Sequence, residues 1–165
     1  AGPGSIYTHR RRAEIVAERF SLVARHEGPA QMETGRQAFV KFLSGPQPQA
    51  VVCTNNHLAM GFIDSIESID NPPVIGIFDE VPLMHLLPLP IVCSMQDIPM
   101  MADGCVQLLL QQLGDEQKKI EPLLLHARVV TNRAFKARFG CSPSAWRYCS
   151  SRCLRSRSNS PIPNW

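Results

Sequence analysis

Along the chain, short apolar runs alternate with stretches whose apolar residues recur every three or four positions. Residues 10–20, RRRAEIVAERF, place Ile15, Val16 and Phe20 on one short face and predict a helix, and Ser21 to Ala24 follow as a short strand. After the turn-forming Gly28-Pro29, METGRQAFVKFL at 32–43 sets Met32, Ala38, Phe39, Phe42 and Leu43 at helical spacing, and GPQPQ at 45–49 stops it. Ala50 to Thr54 are short, apolar and β-rich, which predicts a second strand. Asn55 and Asn56 then supply cap-type side chains for a helix over HLAMGFIDSIESI, 57–69, which ends at Asp70-Asn71-Pro72-Pro73. Val74 to Phe78 form the third strand and Ile91 to Met95 the fourth. DIPMMADGCVQLLLQQL, 97–113, is the next helix, with Asp97 as N-cap and Pro99 tolerated in the first turn. Leu123 to Val130 read as a closing strand.

Strands that alternate with helices of this length imply an α/β fold, a parallel sheet with helices on both faces. In such sheets ligands collect where the strands leave at their carboxyl ends. Asp79 and Glu80 stand directly after the apolar run Val74-Ile75-Gly76-Ile77-Phe78, so they belong either to the wall of a cleft or to a loop pair or helix cap. Helix capping needs only one of Asn55 and Asn56, which leaves the other free for a ligand.

Composition narrows the choice. With 44% hydrophobic and 19% charged residues, 165 residues suit one globular domain with a sizeable core. No window reaches the ~18 uninterrupted apolar residues of a membrane span, and AGPGS at the start is not a basic then apolar leader; a soluble cytoplasmic protein without membrane contact is expected. Residues 1–5 carry no sequence signal. The six cysteines, Cys53, Cys93, Cys105, Cys141, Cys149 and Cys153, show no paired spacing of a zinc site, and the first three lie in apolar surroundings, as small buried hydrophobes do. His57 and His85 lack partner ligands at metal spacing. No metal and no cofactor is therefore expected. Phosphate-cradling glycine loops, an HExxH helix and a GxSxG elbow are all missing, so no residue argues for catalysis.

Charge is divided unevenly. Residues 1–125 hold nine Lys and Arg against fourteen Asp and Glu, whereas residues 126–165 hold eight Lys and Arg and no acid. The chain accordingly divides into an acidic body, 1–125, and a basic tail, 126–165, whose last fifteen residues are rich in Ser, Arg and Pro and read as disordered.

Two segments carry a family resemblance. QAVVCTNNHLAMGFIDSI and PPVIGIFDEVPLMHLLPLPIVCSMQ, in that order, resemble the effector-binding core of LacI/GalR-family transcriptional regulators, whose fold is that of periplasmic sugar-binding proteins. Within the family, the LLPLPI run and the phenylalanine before the acids look most like the fructose repressor, or catabolite repressor/activator, subgroup. The resemblance spans roughly residues 10–130 and implies a repressor-type regulator whose core binds a sugar or sugar phosphate, forms a homodimer in the intact protein and reaches DNA through a domain absent from these residues. It also implies an effector site. The family's first-signature Asp falls on Asn56, beside Asn55, so an amide replaces a carboxylate. The second-signature acid falls on Asp79 or Glu80, and an arginine that reaches the ligand from a helix falls on Arg12, where Ile15-Val16 replace the expected Gly-aromatic pair. Only one wall of a two-walled cleft is covered. A solute-binding protein of a transport system, or a regulator fragment without function, are the alternatives.

The tail holds a shorter echo. RAFKARFGCSPSAWR, 133–147, resembles the closing segment of AraC-type DNA-binding domains: Phe135 and Phe139 are four apart, Gly140 can end a helix and Ser142-Pro143 can begin another.

Overall fold

A computed structural model describes residues 1–45, 47–66, 71–114, 119 and 121–140. The chain divides into two compact units, one formed by Ala1–Ser94 with Val129–Trp165 and the other by Met95–Arg128.

The predicted apolar runs become strands β1 (Ala50–Cys53), β2 (Val74–Phe78) and β3 (Ile91–Met95), and β4 (Arg128–Thr131) completes a sheet of order β1-β2-β3-β4. β2 is parallel to both of its neighbours, with Cys53 level with Ile77 and Ile77 level with Cys93. Such strands are buried on both faces when helices cover them, which is why they read as nearly continuous Val, Ile and Cys. Ile75, Ile91 and Cys93 are the large side chains wholly removed from solvent. The sheet is the center of the core.

In the first unit the helices are α1 (Tyr7–Arg19), α2 (Met32–Leu43), α3 (Asn56–Asp64) and α5 (Arg133–Phe139), and a single 3-10 turn spans Met84–Leu86. α2 and α3 approach backbone to backbone through two glycines. A Cβ on Gly35 would stand 2.8 Å from the amide nitrogen of Phe62, and one on Gly61 would overlap the backbone of Met32. Phe39 and Phe42 then pack on Phe62, the first edge-on with ring centers 5.4 Å apart.

α5 is pinned by Asn132, which is 2% exposed. Its side-chain NH2 donates to the carbonyls of Met84, Leu87 and Leu89, while its Oδ1 accepts from the amides of Ile91 and Phe135. One amide therefore caps a helix and satisfies the strand entry at once. Phe135 and Phe139 stack 4.7 Å apart, and Gly140 closes the helix in the left-handed region at φ 68°. The second half of the AraC-like segment, 141–147, and the Ser/Arg/Pro-rich end lie outside the described residues.

The second unit contains α4 (Ile98–Gly114), begun as expected by Asp97, whose Oδ1 accepts from the amide of Met100 at 3.1 Å. Leu123 packs so closely over Gly104 that a Cβ there would overlap it.

Four expectations need correction. Ser21–Ala24 is not a strand: it faces β1 across a groove of about 640 Å³ and so finds no ladder to join. In α1 the buried residues are His9 and Ala13, whereas Ile15 and Phe20 are exposed, Phe20 at the rim of that same groove. α3 stops at Asp64, where the Ser65 hydroxyl turns back to the Gly61 carbonyl at 3.0 Å. The closing strand begins only at Arg128. Residues 1–5 also prove structural: the amine of Ala1 donates to the His26 carbonyl, and the Gly2 amide donates to Thr54 Oγ1 at 3.0 Å.

Candidate functional site

Parallel register brings the ends of β1 and β2 to one edge, since Cys53 and Ile77 are neighbours and each strand leaves in the same direction. Thr54, Asn55 and Asn56 follow β1 there, and Asp79 and Glu80 follow β2. Asp79 turns the chain sharply, with φ 69°, and its amide donates to the Ser94 carbonyl at the end of β3. A left-handed backbone at a non-glycine residue is sparsely populated, and Asp tolerates it better than most.

Arg12 ties this edge together. Its Nη1 donates to the Thr54 carbonyl at 2.9 Å and lies 3.5 Å from Asp79 Oδ2, while its guanidinium carbon sits 4.6 Å from the ring center of Phe78. The ion pair is only partly screened, the two side chains being 22% and 34% exposed. Its neighbours behave differently: Arg10 and Arg11 pair outward with Glu14 and Glu18 on the solvated face of α1.

Asn55 and Asn56 sit at the same edge. Both side-chain oxygens accept from the single amide of His57, at 2.8 and 2.9 Å. The cap is thus shared by two amides, and their NH2 groups make no hydrogen bond among the described residues. Glu80 is exposed beside Asp79. Burial, then the charges of Glu80 and Asp79, push the Cys93 thiol up to about 11, so it remains a neutral floor beneath the acids.

Sequence reasoning missed Thr54 and His9, and took Phe78 only as a mark of the family and not as a partner of Arg12. Thr54 is 2% exposed; its hydroxyl meets the Gly2 amide and lies 3.5 Å from His9 Nδ1. Burial, then Arg12 and the chain's amino terminus, lower the His9 pKa, which keeps the imidazole neutral under Arg12. The available signal was periodicity: His9, Arg12, Ala13 and Val16 share one stripe of α1, which marks Arg12 as the inward member of the arginine run. Among the described residues, no group of three or more His, Cys, Asp and Glu could hold a metal ion, and no helix is long and apolar enough to cross a membrane.

The arrangement is an α/β fold with a mostly parallel four-stranded sheet, and it matches in fold about half of the solved chains of LacI-family regulators. The Cra transcriptional dual regulator from Pseudomonas putida, solved with fructose 1-phosphate, matches with a TM-score of 0.66 and 21% identity over 78% of this chain and 51% of that one. A LacI-family transcriptional regulator from Enterococcus faecalis with bound ribose matches with a TM-score of 0.66 and 18% identity, over 78% and 50%. A transporter solute-binding protein from Bacillus halodurans with bound myo-inositol gives 0.60 and 20%, over 78% and 47%. The chain thus spans about half the length of these structures. No family model matches it, and no curated protein does.

Proposed function

We propose that this chain is the effector-binding half of a repressor-type, LacI-like transcriptional regulator, and that its ligand is a sugar or sugar phosphate held at the carboxyl edge of β1 and β2. The observation that carries the reading is Arg12, held against the Thr54 carbonyl and Asp79 and lying on Phe78. A guanidinium in that position can bind a phosphate or two vicinal hydroxyls in bidentate fashion. Asp79 and Glu80 accept hydrogen bonds from hydroxyls, the NH2 groups of Asn55 and Asn56 donate to ring or hydroxyl oxygens, and Phe78 offers an apolar face. Nothing in this set supplies a nucleophile with a base, and the site binds rather than reacts.

In the intact regulator this edge forms one wall of the cleft, the protein is a homodimer that reaches DNA through a domain absent from these residues, and it works in the cytoplasm. Ligand shifts such a protein only by its differential affinity for two conformations. The second reading, a transport solute-binding protein, draws on the fold likeness to the myo-inositol-bound protein from Bacillus halodurans.

Amide and side-chain NMR shifts during titration with fructose 1-phosphate, fructose, ribose and myo-inositol test the site. Weak, saturable changes confined to Thr54–His57, Phe78–Glu80 and Arg12 are expected, with the sugar phosphate strongest. Changes absent at these residues with every ligand would sink the proposal.

A further inference from the structure

The position of Arg12 depends on a second residue of α1. His9 stands three residues before it on the same inward stripe and is 7% exposed. Gly2 covers the imidazole so closely that a Cβ there would stand 2.6 Å from Nδ1. Thr54 meets the same atom: its hydroxyl accepts from the Gly2 amide at 3.0 Å and lies 3.5 Å from Nδ1. The sugar-binding edge outlined above uses Arg12 and leaves His9 without a part.

Thr54 links the two side chains. Its carbonyl accepts from Arg12 Nη1 at 2.9 Å, and the same carbonyl favours a proton on His9. One acceptor therefore has two claimants, and while the imidazole is neutral the guanidinium holds it. Burial, then the charges of Arg12 on the same helix and of the Ala1 amine on the segment before it, set the His9 pKa below the ordinary imidazole value, whereas the end of β1 presents the uncharged Thr54. A proton that does arrive turns Nδ1 from acceptor to donor and sets two cations around one carbonyl. Arg12, whose side chain is 22% exposed, is the freer of the two to turn toward water.

We propose that His9 is a positioning residue for Arg12, and that its protonation draws the Thr54 carbonyl away from the guanidinium and weakens sugar binding at this edge in mildly acid solution. At neutral pH the imidazole carries no charge, Arg12 keeps the carbonyl, and its fork is aimed from there. As pH falls through the His9 value the guanidinium loses that anchor, and binding falls with it. The inference rests on the reading of this edge as an effector site and adds a dependence on acidity to it.

Fructose is the probe, because it carries no group that titrates between about pH 4.5 and about pH 7.5 and no charge to attract an imidazolium. NMR on the ligand-free chain follows the His9 Cε1–H and Arg12 Nε–H signals over that range, and Arg12 is expected to shift with the same midpoint as His9. Fructose binding should weaken about tenfold toward the acid end in the parent chain and stay nearly constant in His9→Gln; by reciprocity, saturating fructose should lower the His9 midpoint. An Arg12 signal that ignores the His9 titration overturns the proposal, as does a His9→Gln variant with the parent's pH profile. So does a His9 that stays uncharged to the bottom of the range. The ligand-free titration needs no variant, so it decides the matter should His9→Gln misfold. Fructose that binds at no pH, with Arg12 still following His9, refutes the effector reading and not the positioning role.

Discussion

The guanidinium of Arg12 lies over the ring of Phe78 while its Nη1 approaches Asp79, so one cation is shared between an aromatic face and a carboxylate at the end of the same strand. Replacement by Ala removes both contacts and leaves the Thr54 carbonyl without this donor; a loss of about 1 kcal/mol in urea unfolding is expected. Arg12→Lys should keep most of the stability but lose the forked donor, so sugar-phosphate binding weakens more than folding does. Lysine that binds as well as arginine would refute a bidentate role.

Gly61 faces the opposite demand from an ordinary helical glycine. In an exposed helix, Gly→Ala gains about 1 kcal/mol. Here the added methyl would overlap the Met32 backbone, and neither helix end is a flexible side chain that can give way. Gly61→Ala should therefore destabilise by about 3 kcal/mol, with the α2 and α3 amides exchanging faster. Gly114→Ala, with nothing within 4 Å of the new atom, is the matched control and should be near neutral.

Much of this was readable from residues alone, and the exceptions share a cause. Val74–Phe78 and Ile91–Met95 were legible because a central parallel strand must be apolar on both faces. The place of Asp79 at a strand exit was legible because it follows one. Ser21–Ala24 has the residues of a strand but no neighbour to pair with, and local pattern cannot report a missing neighbour. His9 and Thr54 escaped because a buried polar residue is recognised by its partners, which come from distant parts of the chain. Asn132 is the strongest instance: five hydrogen bonds converge on a residue that in sequence is merely polar beside an apolar run.

That convergence makes Asn132 sensitive in a specific way. Asn132→Ala strands three carbonyls and two amides and should cost about 3 kcal/mol. Asn132→Asp keeps the acceptor but turns an oxygen toward the carbonyls of Met84, Leu87 and Leu89, so the protonated form is favoured in the folded state and the group's folded pKa lies above its unfolded value. Stability of that variant is present at low pH and lost as pH rises through the folded value. Unfolding followed from about pH 7 down to about pH 5 should show the variant gaining on the parent. A constant difference between the two would contradict this account.

Cys53 is buried and its thiol is pushed up to about 12, with burial as the cause. In the unfolded chain a cysteine ionises near about 8.5. Below that value both states keep the proton and the thiol's preference is fully expressed. Above it the unfolded state releases its proton while the folded state does not, so stability falls as pH rises toward the folded value. Cys53→Ala should flatten the alkaline part of the stability curve. With an alkylating reagent at neutral pH and peptide mapping, Cys105, which is exposed, should label before Cys53 and Cys93. Early labelling of Cys53 would mean that the groove beside it opens far more than the packing shows.

The basic tail yields the most exposed prediction. Residues 126–165 carry eight positive charges and no negative one, yet Arg138 is already committed to the fold, donating to the Pro72 carbonyl at 2.6 Å and to Asn71 Oδ1 at 2.8 Å. α5 is a seven-residue helix whose inner face is buried at Phe135. An element held in this way has little freedom to enter a major groove, and the remaining cations can only meet phosphates, which position a protein without specifying a sequence. Binding to duplex DNA should accordingly be weak, equal across a panel of sequences, and steeply reduced by salt, because each neutralised phosphate releases counterions. Fluorescence titrations of the panel at two salt concentrations provide the measurement. Sequence-selective binding that survives the higher salt would show that the AraC-like segment belongs to a working reader, and that α5 gives up its ties to the rest of the fold to form it.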